Sequence, residues 1–214
     1  GHHTMNAALP FEVIERIEII KGPAARVFGQ NAFTGAINIV TKKQLKNSVS
    51  TNLETGSFGQ LNGSLTVGSE LENSSHIIHV GKLTSQGYRN NSDYNNSNYF
   101  IKSVFNKKAQ AVEMIATFFD RKFGAENFYT TNPAWNEYEE TQNSLIGFTT
   151  TFESEKLKIK PRVYWKRNQD MFLLKRNEPN FFRNLHITDK MGAEVNASYS
   201  SELGVTGFGV DISK

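Results

Sequence analysis

From Ser48 onward the sequence is broken at alternately short and long intervals, and between the breaks polar and apolar residues take turns. That two-residue period belongs to a half-buried β-strand and not to a helix. Nine strands are expected, over 48–57, 60–68, 75–86, 98–105, 111–121, 143–153, 157–168, 186–200 and 204–213. Most match or exceed the ~9–11 residues that a tilted strand needs to cross a bilayer. The connectors Ser69–Ser74, Asn106–Gln110, Ser154–Lys156 and Ser201–Leu203 are short, whereas Gly87–Ser97, Lys122–Gln142 and Gln169–Leu185 are long. Transmembrane barrels have short turns at one end and long loops at the other. If the first strand starts at the short-turn end, every short connector falls at that end.

The faces of individual strands agree. Leu157, Ile159, Val163 and Trp165 alternate with Lys158, Lys160, Arg162, Tyr164 and Lys166, so one strand carries a greasy side and a basic side. Tyr99, Ile101 and Phe105, and then Val112, Met114, Ala116 and Phe118, repeat the greasy side, while Ile115 and Phe119 sit opposite. In a barrel the greasy side meets lipid, where a mid-depth Lys would cost ~2–4 kcal/mol. Faces alone fit a two-sheet sandwich with a wet exterior equally well. The loop alternation favours the barrel.

Composition bounds the alternatives. Hydrophobic residues are 38% and mean hydropathy is -0.47, with no apolar run of helix-spanning length, so membrane crossing could occur only through strands. There is no cysteine, which excludes a disulfide framework and thiolate metal ligation. Sixteen Phe and sixteen Gly against five Pro suit a strand-rich chain. No charged start followed by an apolar run is present, so no secretory signal is expected within this sequence, and Gly1–Met5 reads as a tag remnant. A trimmed piece of a longer chain is the expectation.

The stretch before the strands has a different character. Val13 to Ile20 alternates, Lys21-Gly22-Pro23 breaks it, Gly29-Gln30-Asn31 and Gly35 add flexible points, and Ala36–Thr41 returns as a short strand. The string IERIEIIKGPAARVFGQNAFTGAINIVTKK, from Ile14 to Lys43, closely resembles the end of the plug domain of TonB-dependent outer-membrane receptors. It departs from that pattern at Phe28, where Tyr is common, and at Thr34, where a second Gly often stands. The resemblance implies an all-β antiparallel fold: residues 1–8 a tag or linker remnant, 9–45 the last part of a plug, and 46–214 the first part of a transmembrane β-barrel. About 22 strands close such a barrel, so nine form only part of the wall. Arg16 and Glu18 match the plug residues that lock onto the barrel wall in that family.

Ligand contacts are expected on the long loops, because loops on a rigid scaffold carry binding. Tyr129, Trp135 and Tyr138 are the candidates, since aromatic rings give broad contact at low entropic cost; a girdle at the membrane interface is the plainer use of such rings. No catalytic constellation is present. His76 and His79 are three apart on a strand and so face opposite ways, His186 has no evident partner, and no metal or cofactor site is expected. Glu137, Glu139 and Glu140 read as a solvated loop tip. Gly56, Gly59 and Gly63 lack a strand-to-helix context for nucleotides. Dispersed basic residues speak against nucleic acid.

By resemblance, then, the expected role is non-enzymatic: a bacterial outer-membrane receptor for active uptake of a scarce nutrient such as siderophore-iron, haem, cobalamin or a glycan. Its expected partners are the extracellular nutrient, outer-membrane lipid, and a TonB-type energy-transducing protein engaging a part that precedes this sequence. A soluble all-β carbohydrate-binding module and a passive porin are the alternatives.

Overall fold

The computed structural model describes residues 9–22, 34–43, 45–107, 110–130, 132 and 135–214. Gly1–Met5 and the Phe28–Asn31 loop lie outside the described residues. A 3-10 turn, Phe11–Val13, leads into β1 (Ile14–Lys21), which pairs antiparallel with β2 (Gly35–Thr41). A register shift between Ile14 and Arg16 interrupts the alternation at the start of β1. From Arg16 onward it is regular, with Ile17 opposite Ile39 and Ile19 opposite Ile37.

Nine strands follow: β3 (Ser48–Gly56), β4 (Gln60–Leu71), β5 (Ser74–Ser85), β6 (Tyr94–Lys107), β7 (Gln110–Gly124), β8 (Tyr138–Glu153), β9 (Leu157–Leu173), β10 (Arg183–Ser201) and β11 (Gly204–Ser213). They form one antiparallel sheet in chain order, each strand hydrogen-bonded to its sequence neighbours. The sheet does not close, so β3 and β11 are its edges. This is the wall of a partial barrel.

Every expected strand is present, but several are longer at the loop end. β6 begins at Tyr94, β8 at Tyr138 and β10 at Arg183, and β9 runs on to Leu173. The amphipathic alternation marks only the membrane-height portion of each strand. At ~3.3 Å per residue, the 17 residues of β9 extend beyond what a ~30 Å hydrocarbon layer requires. The upper parts can therefore be polar on both sides. One connector at the loop end is short: Ser57–Gly59 makes a tight hairpin, with Phe58 and Gly59 both at positive φ (59° and 63°). Consecutive left-handed residues match the right-handed strand twist.

Register puts apolar side chains in continuous rows. One cross-strand row reads Val49, Val67, Ile78, Ile101, Ala116, Ile146, Trp165 and Met191. The next, toward the short turns, includes Met114, Phe148, Val163, Ala193 and Ile212. These side chains stand open, Val163 at 52% and Met191 at 61% exposure. Large apolar rows left outside suit hydrocarbon and not water.

The opposite face is the inner one, and against it lies the β1–β2 end. Val13 is fully buried with Ile77 and Phe100, joined by Leu9, Leu45 and Ile115. Ile115, which broke the greasy pattern of β7, thus has its own apolar partners. The segment after β2 approaches the wall at Gly68, where an added Cβ would stand 2.4 Å from Leu45 and 2.9 Å from the Lys46 carbonyl. Only glycine permits that approach without displacement.

Two outcomes are expected of this sheet. The isolated chain should self-associate in detergent, because unpaired edges recruit partners; sedimentation showing a monodisperse closed monomer contradicts the open wall. Val163→Lys should cost ~2–4 kcal/mol in folding into lipid vesicles, read by denaturant titration, whereas a neutral change on the inward row should cost far less.

Candidate ligand cleft and plug contact

The contact between the two-stranded end and the wall is part greasy and part polar. Val13 supplies the greasy anchor, worth ~1.5–3 kcal/mol for complete burial. Around it, the Lys102 ammonium donates to the Thr41 hydroxyl at 2.9 Å and lies 3.3 Å from Glu113. His79, 1% exposed, shares a 2.8 Å hydrogen bond with Thr66 and lies 3.9 Å from the Glu12 carboxylate. His76 takes the outer face, bonded to Ser103 at 2.9 Å and packed edge-on against Phe105. The two histidines are thus separated by the sheet itself.

Arg16 and Glu18 take another part of the same unit. Arg16 donates to Glu18 and to Glu15, each at 2.7 Å, and Glu18 also accepts from Asn38 of β2 at 2.7 Å. The Asn38 bond, then the Arg16 bond, hold the Glu18 carboxyl below its ordinary pKa. Among the described residues, the contacts to the wall come from Glu12, Val13 and Thr41 and their neighbours. Glu18 ties β1 to β2 through Asn38, and Arg16 steadies Glu18 from its own strand.

At the long-loop end, three loops are knotted together by polar contacts. Arg176, on the loop 174–182, makes two parallel bonds to Asp93 at 2.6 and 2.9 Å, and its amide donates to the Asn136 carbonyl at 2.8 Å. Its guanidinium lies 4.4 Å from the Tyr138 ring centre. Asn91 donates to the Glu137 carbonyl at 2.6 Å, and the Ala125 amide to the same oxygen at 2.9 Å. Glu137 is fully buried; its carboxylate accepts the amides of Phe128 and Tyr129 at 3.2 and 3.0 Å. The run Glu137–Glu140 is therefore a folded hub and not a solvated tip: a carboxylate that caps backbone amides must be inside the loop.

Beside this knot is a cleft of ≈ 270 Å³ lined by Tyr129, Thr130, Asp170, Phe172, Leu174, Phe182, Asn184 and His186. Tyr129 meets Phe172 edge-on at 4.8 Å, and Phe172 meets Phe182 at 6.4 Å. The Tyr129 hydroxyl donates to Glu139, itself 1% exposed. Burial first, then the Glu139 bond, push the phenol pKa well up. Asp170, Phe172, Asn184 and His186 share the inward register, Asp170 opposite His186 and Phe172 opposite Asn184. One inward row, Asn96–Arg121–Thr141–Asp170–His186, crosses five strands below the loops. In it Asn96 Oδ1, Arg121 Nε, Thr141 Oγ1 and Asp170 Oδ1 are buried without a hydrogen-bond partner among the described residues.

Of the three aromatic candidates, Tyr129 lines the cleft. Tyr138 falls in the outward register, bonded to Glu140 at 2.8 Å and covered by Arg176. Trp135 is half-buried in the loop, its amide bonded to Asn132 at 3.1 Å. Asp170 and Asn184 were not singled out by sequence, because they lie on strand extensions that read as loop; His186, at the start of the expected strand 186–200, showed no evident partner there. The signal was available: carrying the even-numbered face of Lys158–Lys166 upward gives Asn168, Asp170 and Phe172.

Three measurements check this geometry. Val13→Ala should loosen the β1–β2 unit by ~1.5–3 kcal/mol, seen as faster hydrogen exchange over 14–21. Arg176→Ala should cost ~1 kcal/mol, modest because the pair is about one-third exposed, and expose the loop 174–182 to proteases. Under alkaline titration, tyrosinate absorbance should show a component ionising late, lost in Tyr129→Phe. Since the folded pKa is raised, its stabilisation is intact below ~10, the ordinary tyrosine value, and disappears as pH rises through the folded value.

No protein-family model matches the chain. Among curated proteins, it is 31% identical over 84 residues to the metal-pseudopaline receptor CntO of Pseudomonas aeruginosa (strain UCBPP-PA14), covering 37% of this chain and 12% of that receptor. It is 54% identical over 35 residues to the ferrienterobactin receptor of Escherichia coli (strain K12), covering 16% of this chain and 5% of the relative. Among solved structures, the ferric-catecholate import receptor Fiu of E. coli K12 in its open form superposes with a TM-score of 0.73 at 15% identity, over 94% of this chain and 39% of Fiu. The unliganded ferric citrate transporter FecA gives 0.74 at 14% identity, over 97% of this chain and 35% of FecA. The structural matches carry the fold across nearly the whole chain, which spans little more than a third of those structures. The structural matches show the fold, and together with the sequence matches to receptors they support reading this chain as a fragment of a TonB-dependent receptor.

Proposed function

We propose that the receptor to which this segment belongs takes up a scarce nutrient, of the siderophore-iron or metal-chelate kind, across the outer membrane by TonB-dependent active transport. In this reading residues 9–45 are the end of the plug and 46–214 the opening wall of the barrel. The observation that carries it is the contact of Val13, Glu12 and Thr41 with the inner face of a wall whose outer face is an apolar band. A plug seated inside a lipid-facing wall blocks free diffusion, so passage requires the seat to be disturbed by work from outside. A TonB-type protein drawing on the inner-membrane gradient supplies that work. A passive porin has no use for such a contact, and a soluble module none for the outward apolar rows.

The transport moves a ligand and breaks no bond in it, so the protein works as a receptor and not as an enzyme. Arg16 and Glu18 stiffen the unit that is pulled, in addition to the wall-locking role implied by the family motif. Tyr129 meets the ligand in the loop-end cleft, and Trp135 and Tyr138 hold the surrounding loops.

The test is accumulation of a labelled ferric siderophore or metal chelate by cells expressing the whole receptor. Uptake should stop when a protonophore collapses the gradient, while surface binding persists. Uptake that continues unchanged supports the porin instead. Replacing Val13 by Asp, which puts a charge into the seat, should raise gradient-independent leakage.

A further inference from the structure

We infer that the loop-end cleft takes an organic cation, a protonated nitrogen carried on a flat apolar body. This rests on the reading of the long-loop end as the ligand end and adds the charge class of what enters it. The cleft offers three aromatic surfaces, Tyr129, Phe172 and Phe182, around an acidic side chain. The Asp170 Oδ1 atom is buried with no hydrogen-bond partner among the described residues. A desolvated carboxylate oxygen left without a donor is costly unless a donor arrives with the ligand.

The charges around it decide the sign of that donor. Glu139 and Glu137, 1% and 0% exposed, lie behind Tyr129, and both carboxylates as well as Asp170 act on its phenol. Arg121, opposite Thr141 in the inward row, is a cation near them and interacts with Glu139. His186 sits across the strand pair from Asp170 and Asn184 beside it, adding polar contacts. The basic side chains Lys166 and Lys190 face each other four residues lower, ~13 Å along the strands at ~3.3 Å per residue. That exceeds the ~8 Å screening length at physiological salt. An arriving anion would therefore meet the carboxylates before the lysines, whereas a cation gains both the Asp170 oxygen and the electron-rich ring faces.

Two probes with one ring system and opposite charge separate these outcomes: tryptamine and indole-3-acetate, titrated calorimetrically at pH 8 into the whole receptor in detergent. Tryptamine should bind at least roughly tenfold more tightly, the scale of one charge-assisted hydrogen bond. Asp170→Asn should remove that preference by weakening tryptamine alone. Phe182→Ala, at a ring about half exposed, should weaken both probes and leave their ratio unchanged, which checks the cleft even if Asp170→Asn folds poorly. Equal binding, preference for the acetate, or no binding of tryptamine overturns the inference. Gradient-dependent uptake is measured separately, so a receptor that prefers the cation yet transports without a gradient overturns the transport reading and leaves the cleft standing.

Discussion

A chain that enters hydrocarbon must find a partner for every backbone N–H and C=O within the protein, because lipid offers none. Between its two open edges, β3 and β11, the nine-strand meander meets that demand with neighbours alone: each of β4 to β10 pairs with the strands before and after it, in unbroken register over most of its length. Once pairing is fixed, the alternation of side chains leaves two faces with different solvents. The outer face can be uniformly apolar, and the inner face is free to hold Lys102, Arg162, Asp170 and other polar groups that lipid would exclude. The candidate cleft and the seat of the β1–β2 unit lie on that inner face or at its rim.

The wall gives the β1–β2 unit a seat that mixes two kinds of grip. Val13, Ile77, Phe100 and Ile115 make a small dry contact, and around it lie the Lys102–Thr41 bond and the Glu12 carboxylate, 3.9 Å from His79. A purely greasy seat of that size would slide, since apolar contact has no direction. The bond from the buried Lys102 ammonium to Thr41 gives the contact a fixed position. The long loops follow the opposite logic. Glu137, Arg176 and Asp93 bind them to one another, so the cleft at Tyr129 and Phe172 keeps its shape without a ligand to organise it.

Much of this was legible in the sequence because membrane height imposes a strict pattern. Leu157, Ile159, Val163 and Trp165 mark the apolar face of β9 without any structure, and the alternation of short and long connectors is what favours turning that face outward. The pattern fades where hydrocarbon ends. Asn168–Phe172 and Tyr138–Gln142 belong to strands, yet they alternate among polar and aromatic residues and resemble loop, so the cleft residues on them stayed hidden. Glu137 and Glu139 misled for a related reason: sequence shows charge, but not the backbone amides and phenol that draw it inward. Ile115 looked like a fault in the pattern until its partner, Val13, was seen on a segment about a hundred residues earlier. Contacts of that span are set by the packing of the N-terminal unit onto the wall and leave no local signature.

The central claim is that the two faces of the wall meet different solvents. This segment has no cysteine, so once any cysteine elsewhere in the whole receptor is replaced, single cysteines can be placed along β9 in outer membranes and challenged with a water-soluble and a lipid-soluble maleimide. Positions 159 and 163 should react with the lipid-soluble reagent alone, and position 160 with the water-soluble one. If 159 and 163 resist both reagents while 160 reacts freely, those side chains lie in a dry core between stacked sheets, and the lipid-facing wall is wrong.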